Sequence, residues 1–210
     1  MRISHKYKFV YIAVTKTGST TVRKMLNPLS DVVSDHSTES PYHHHTHAVD
    51  LKKHFKERGW NWDEYFKFSF VRNPWSRLVS LFNYQREYVR GYEKDVESSR
   101  YFEGYYKRCK KNTHNRNFEV YVDKIWMGDQ FDFLYDENNN QLVDFVGKTE
   151  NLQEDFNTIC DKIGIPRQEL PHKNKTKHKH YTEYYDDETR ELVAEKYAKD
   201  IEYFGYEFGE

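Results

Sequence analysis

Two apolar runs stand out from an otherwise densely polar chain. Lys8-Phe9-Val10-Tyr11-Ile12-Ala13-Val14 is short, β-branched and aromatic, the pattern of a buried strand. It leads into Thr15-Lys16-Thr17-Gly18-Ser19-Thr20-Thr21, after which Val22, Met25 and Leu26 recur at helical spacing. The spacing predicts a helix of about two turns, with Ser19 or Thr20 as its N-cap. The second run, Phe66-Lys67-Phe68-Ser69-Phe70-Val71, breaks at Arg72-Asn73-Pro74. There Asn73 is the predicted cap and Pro74 takes the first helical position, where its missing N–H costs nothing. Trp75, Leu78, Val79 and Phe82, continued by Tyr88 and Val89, mark the buried stripe of a long helix.

The rest of the chain repeats the alternation more faintly. Residues 27–46, with Pro28 and Pro41, read as a surface connection with little regular structure, followed by a helix from Ala48 to Glu57. Residues 91–117 interleave Tyr92, Tyr101, Phe102, Tyr105 and Tyr106 with Lys107, Arg108, Lys110, Lys111 and Arg116 at weak periodicity, as in a substrate-facing lobe. Phe118 to Trp126 predicts a helix and Gln141 to Gly147 a strand. Leu152, Phe156, Ile159, Cys160 and Ile163 form the inner face of a helix stopped by Gly164 and Pro166. A final helix, capped around Asp186 and Asp187, carries Leu192, Val193, Tyr197 and Ile201. Strands alternating with helices predict an α/β fold with a parallel central sheet, helices on both faces, and ligands at the carboxyl ends of the strands. No internal repeat is present, and residues 1–210 are expected to form a single domain.

Composition narrows the function classes. With 33 Lys plus Arg against 34 Asp plus Glu, the net charge of −1 excludes a protein that coats nucleic acid by bulk electrostatics. The 32% of charged residues approaches disordered composition, yet 4 Trp, 18 Tyr and 14 Phe supply ample material for a core. Cys109 and Cys160 alone make neither a disulfide scaffold nor a zinc spacing, so a reducing, cytoplasmic compartment is expected. No run approaches the roughly 20 apolar residues of a bilayer span.

Two loops carry chemistry. Lys16-Thr17-Gly18-Ser19-Thr20-Thr21 combines a glycine that permits close backbone approach, hydroxyls, a lysine and a helix N-terminus, which together suit an anion. A Walker A loop places its lysine after a second glycine, whereas Lys16 precedes the only one here. Arg72, Arg77 and Ser80 make a second constellation, in which Arg72 offers a planar fork to a phosphate at a strand end. The plainer reading pairs Arg77 with a neighbouring acid and makes Ser80 a packing residue. Adjacent His43, His44 and His45, with His47, lack a coordinating pattern, and no metal site is expected. His47, at the start of a helix and between the two loops in sequence, is a candidate general base. The polar run from His172 to His180 reads as a solvated face, an RNA-binding patch, or a lid over a polyanionic nucleotide.

In order and spacing, the Lys16 to Thr21 loop, His47-Ala48-Val49-Asp50-Leu51, the block Phe68 to Ser80, Phe145-Val146-Gly147-Lys148-Thr149-Glu150-Asn151-Leu152 and Tyr203-Phe204-Gly205-Tyr206 resemble the carbohydrate sulfotransferase superfamily in its family 2 branch. The resemblance implies a fold related to nucleotide kinases and the donor 3′-phosphoadenosine 5′-phosphosulfate (PAPS). It implies that Lys16, Thr17, Gly18, Ser19, Thr20 and Thr21 hold the 5′-phosphosulfate, Lys16 also assisting catalysis, and that Arg72 and Ser80 bind the 3′-phosphate. His47 matches a catalytic base, with Glu150 as the other candidate. Lys175, Thr176 and Lys177 fall where relatives close over the nucleotide.

The expected function is PAPS-dependent O-sulfation of a carbohydrate or glycan-like hydroxyl. Two alternatives stand beside it. One is a nucleotide kinase or NTPase using the same glycine loop, against which the Walker A order and the lack of an evident Mg²⁺-holding acid speak. The other is a non-catalytic module for RNA or an anionic glycan. Nothing in the sequence fixes the oligomeric state.

Overall fold

The computed structural model describes residues 1–34, 42–98, 102–113, 117–171 and 179–210. In chain order they form β1 (Arg2–Ser4), β2 (Phe9–Ile12), α1 (Ser19–Leu26), β3 (Val32–Val33), α2 (Ala48–Glu57), β4 (Phe66–Val71), α3 (Pro74–Lys94), α4 (Glu103–Thr113), α5 (Phe118–Lys124), β5 (Phe145–Lys148), α6 (Leu152–Ile163), α7 (Asp187–Lys196) and α8 (Ala198–Phe204). Two compact units result, one from Met1–Arg72 with Gly128–Lys173, the other from Asn73–Met127 with Asn174–Glu210. None of the helices among the described residues is long and apolar enough to cross a membrane.

The first unit contains the whole sheet, in the order β3-β1-β2-β4-β5. β2, β4 and β5 are parallel, with Tyr11 opposite Phe68 and Phe68 opposite Phe145. The parallel core expected from the alternation is present, but the sheet is mixed, because β1 and β3 add an antiparallel edge. Both of these antiparallel strands escaped the sequence reading: three and two residues are too few to display a period, and β3 lies inside the stretch taken for a connection. The predicted strand at 141–147 is also displaced, to Phe145–Lys148.

Burial on both faces explains why the central strands read as continuous apolar runs. Phe9, Tyr11, Phe68 and Phe70 meet Val22 and Leu26 of α1 and Phe156, Ile159, Cys160 and Ile163 of α6 in one core. Tyr11 stacks on Phe68 with ring centroids 5.3 Å apart. On the reverse side the Ser69 hydroxyl donates to the Ile12 carbonyl at 2.7 Å. Lys67 is buried there with its ammonium 2.9 Å from the Asp144 carboxylate. β5 comes so close to α6 and β4 that a Cβ on Gly147 would stand 2.6 Å from Cε1 of Phe70 and 3.0 Å from Cβ of Asp155.

In the second unit α3 begins as predicted, with Asn73 accepting from the Ser76 N–H at 3.3 Å and Pro74 in the first turn. Trp75, Leu78, Val79 and Phe82 pack on Phe118, Tyr121 and Val122 of α5 and on Val193 and Tyr197. Arg77 is buried inside this unit, 3.7 Å from the equally buried Asp200, as the plainer reading of that residue supposed. α4 lies against α3 through Tyr88 and Tyr105, at 4.7 Å, and through the stacked Tyr92 and Tyr106, at 4.1 Å. The single final helix expected from the sequence is two, α7 and α8, interrupted at Tyr197. That ring is buried and its hydroxyl accepts from the Met127 N–H at 3.1 Å, so packing overrides helical continuity. α5 stops at Lys124, short of Trp126, and the Lys196 ammonium donates to the Val122 and Asp123 carbonyls in its last turn at 2.7 and 2.5 Å.

The Gly147 contact gives a direct test of the packing. Gly147→Ala should destabilise the protein by about 1–3 kcal/mol, as overpacking against a ring fixed in a core does. Urea denaturation reads the change, and an unaltered midpoint would show that Phe70 has room to give.

Candidate functional site

Because β2, β4 and β5 are parallel neighbours, their carboxyl ends share one edge of the sheet. Three segments leave that edge: the loop through Lys16 to Gly18, Arg72, and the turn Lys148 to Asn151.

The first segment turns through two left-handed residues, Lys16 at φ 67° and Gly18 at φ 71°. Such a conformation is ordinary for glycine and costs a lysine about 1–2 kcal/mol. Thr17, buried between them, ties the loop back to the strand by donating its hydroxyl to the Val14 carbonyl at 3.0 Å. Gly18 itself is the N-cap of α1, so the expected caps Ser19 and Thr20 fall inside the first turn. No side chain caps that turn and no acid lies in it, which leaves the leading N–H groups suited to an anion. A Cβ on Gly18 would meet Cδ2 of Leu152 at 3.3 Å and Cγ2 of Thr149 at 3.8 Å, so the loop packs on the turn that follows β5.

Lys16 is half-buried. Withdrawal from water, and after it the nearby Arg72 guanidinium, pull its ammonium down to about 8. Arg72 is held through its backbone: its N–H donates to Oε1 of Gln130 at 2.8 Å, and its carbonyl accepts from Nε2 of Gln130 at 2.8 Å. The preceding carbonyl, of Val71, accepts from the Thr149 hydroxyl at 2.9 Å. The backbone that carries Arg72 is thereby fixed at the end of the strand next to the one that delivers Lys16, whose loop runs into an uncapped helix N-terminus.

The histidines take separate directions. His44 Nδ1 lies 2.6 Å from the Ser34 hydroxyl, and His45 Nδ1 lies 2.7 Å from the Ala13 carbonyl at the exit of β2. His47 precedes α2 without capping it, and its ring rests on Phe133 with centroids 4.1 Å apart. Among the described residues no group of three or more His, Cys, Asp or Glu is placed to hold a metal. Glu150 is exposed in the turn after β5.

Of the residues singled out in the sequence, Lys16 to Thr21, His47, Arg72 and Glu150 thus belong to the first unit. Ser80 is half-buried on α3 in the second. Lys175, Thr176 and Lys177 lie outside the described residues. Gln130, wholly buried, was missed: a lone glutamine in a stretch without periodicity carries no local signal, and its role appears only through its contacts.

Residues 1–207 match the sequence model of the Sulfotransferase family. The chain belongs to the sulfotransferase family. An uncharacterized protein of Archaeoglobus fulgidus is 36% identical over 110 residues, which are 50% of this chain and 73% of that protein. Carbohydrate sulfotransferase 14 of Danio rerio is 24% identical over 228 aligned positions, covering 97% of this chain and 61% of the relative's length. A solved structure, a sulfotransferase from Alicyclobacillus acidocaldarius, is 14% identical with a TM-score of 0.32, over 96% of this chain and 81% of that one.

Lys16 should titrate at about 8, read by the pH dependence of its labelling by an amine-reactive reagent and mass spectrometry. Arg72→Ala should move that midpoint upward but not to the ordinary lysine value, because burial, the larger cause, remains. A midpoint indifferent to Arg72 would mean that the two charges do not sense each other.

Proposed function

We propose that the protein is a PAPS-dependent O-sulfotransferase acting on a hydroxyl of a carbohydrate or glycan-like acceptor. What supports this reading is the pair Lys16 and Arg72, two cations close enough for one to depress the other at the carboxyl ends of adjacent parallel strands, with the uncapped first turn of α1 following Lys16 in the same loop. The donor set fits a ligand with anionic groups, since a bound anion offsets the burial, and after it the Arg72 repulsion, that depress Lys16, and occupies the N–H groups of an uncapped helix. Lys16, Thr17, Gly18, Ser19, Thr20 and Thr21 hold the 5′-phosphosulfate, and Arg72 the 3′-phosphate. Ser80 and the segment with Lys175 and Lys177 join them on the strength of the sequence resemblance alone.

PAPS supplies the sulfuryl group and a phosphate leaving group. The chain's own work is to align the acceptor oxygen with that group and to neutralise the charge that grows on the departing oxygen. Lys16 and the α1 N–H groups are the charge-neutralising elements. His47 takes the acceptor's proton as the new O–S bond forms and the old one breaks. Its imidazole makes no hydrogen bond to the described residues and needs none broken to receive that proton. Glu150 is the reserve choice for the base. The acceptor class comes from relatives described as carbohydrate sulfotransferases, of which this chain spans 61% of one.

A thermal-shift titration tests the donor class without knowledge of the acceptor. Adenosine 3′,5′-bisphosphate should raise the melting temperature, and ADP or ATP with Mg²⁺ should not match it. Preference for ATP with Mg²⁺ would establish the kinase reading instead. Lys16→Ala and Arg72→Ala should abolish the shift, whereas His47→Ala should keep it and slow turnover by about 10²–10⁴. Normal turnover by His47→Ala would transfer the role to Glu150.

A further inference from the structure

β4 outruns its neighbours. Its pairing with β2 ends at Ser69 opposite Ile12, and its pairing with β5 ends at Val71 opposite Lys148. Arg72 therefore lies one residue beyond any ladder, where its N–H and carbonyl have no strand to meet. Gln130 fills the gap. Its amide oxygen accepts from the Arg72 N–H and its amide nitrogen donates to the Arg72 carbonyl, each at 2.8 Å. Both polar ends of a wholly buried side chain are thus spent on the backbone of one residue. An amide buried without partners would be destabilising, so Gln130 is satisfied only while the Arg72 backbone stays in place.

We propose that Gln130 is a positioning residue for donor recognition: its side chain stands in for an absent strand and fixes Arg72 so that the guanidinium remains beside Lys16 before any anion arrives. The proposal rests on the donor-site reading given above. Its physical content is preorganisation. Like charges repel, and loosening the Arg72 backbone widens the set of positions its guanidinium can take. Anchoring the backbone keeps the pair together, so the anion meets a formed site rather than paying to assemble one.

Two variants and two readouts test it. Gln130→Leu keeps the volume and removes both hydrogen bonds. It should weaken the binding of adenosine 3′,5′-bisphosphate by about tenfold or more, measured by titration calorimetry. It should also move the labelling midpoint of Lys16 upward, in the direction that Arg72→Ala moves it. Gln130→Glu keeps the acceptor, and regains a donor only when its carboxyl is protonated. Relative to the unsubstituted chain at each pH, its affinity should be poor at pH 8 and recover toward pH 5. A Gln130→Leu protein that melts lower but binds the bisphosphate and titrates Lys16 as before would overturn the proposal, leaving Gln130 a packing residue. If that variant does not fold, the pH response of Gln130→Glu decides, and an affinity ratio flat in pH counts against the clamp. If the unsubstituted chain itself fails to bind the bisphosphate, the donor reading falls and the Lys16 titration alone decides the role of Gln130.

Discussion

The site depends on holding two positive charges close together. Lys16 and Arg72 leave adjacent parallel strands, and each makes the other less comfortable: the guanidinium, after burial, is what lowers the lysine's affinity for its proton. In a partly desolvated edge such repulsion is worth more than it would be in water. The surrounding structure reads as the means of bearing it. Lys16 is set in a left-handed conformation between the buried Thr17 and the exit of β2, while Arg72 is anchored by Gln130 and by the neighbouring bond from Thr149 to Val71. Gly147, where a Cβ would crowd Phe70 and Asp155, lets β5 close in, and the turn after β5 supports both Gly18 and the end of β4. In the proposed complex, an anion bound at this edge offsets that repulsion.

Much of this was legible from pattern. The Phe9–Ile12 and Phe66–Val71 strands, α1, α2 and the start of α3 follow from apolar runs broken by strong punctuation, and punctuation by Gly18, Asn73-Pro74 and Gly164 has direct stereochemical meaning. Those elements carry the parallel core, so the fold class and the edge that bears the site followed with them. What stayed hidden had no period to read. β1 and β3 are short and owe their existence to pairing, not to their own sequence. Tyr197 interrupts a helix that propensity alone would continue, because its ring and hydroxyl are engaged in the core of the second unit.

Site residues divide along a similar line. Lys16 and Arg72 were visible because strand ends next to helix starts are where an α/β fold exposes backbone N–H groups, and a cation there stands out. Arg77, five residues on in the same motif, is committed to Asp200 in the interior, as its plainer reading supposed. Nothing local distinguishes the two arginines; burial does. Gln130 is the converse case, a residue of no apparent chemistry whose amide completes the end of β4.

The histidine group shows why spacing alone misleads. Four histidines within five positions suggest a shared centre, yet one is exposed, one meets the Ser34 hydroxyl, one meets the Ala13 carbonyl and one lies on Phe133. Neighbouring side chains on an irregular segment leave it in different directions, so they serve different partners. The contact from His45 to Ala13 fastens this segment to the exit of the strand that delivers Lys16. His47 lies two residues further on, its imidazole braced by an aromatic ring and making no hydrogen bond to the described residues. His45 does the anchoring there, and in the proposed reaction it is the imidazole of His47 that takes the acceptor's proton. A residue that had to do both would give up one of its two nitrogens to the scaffold.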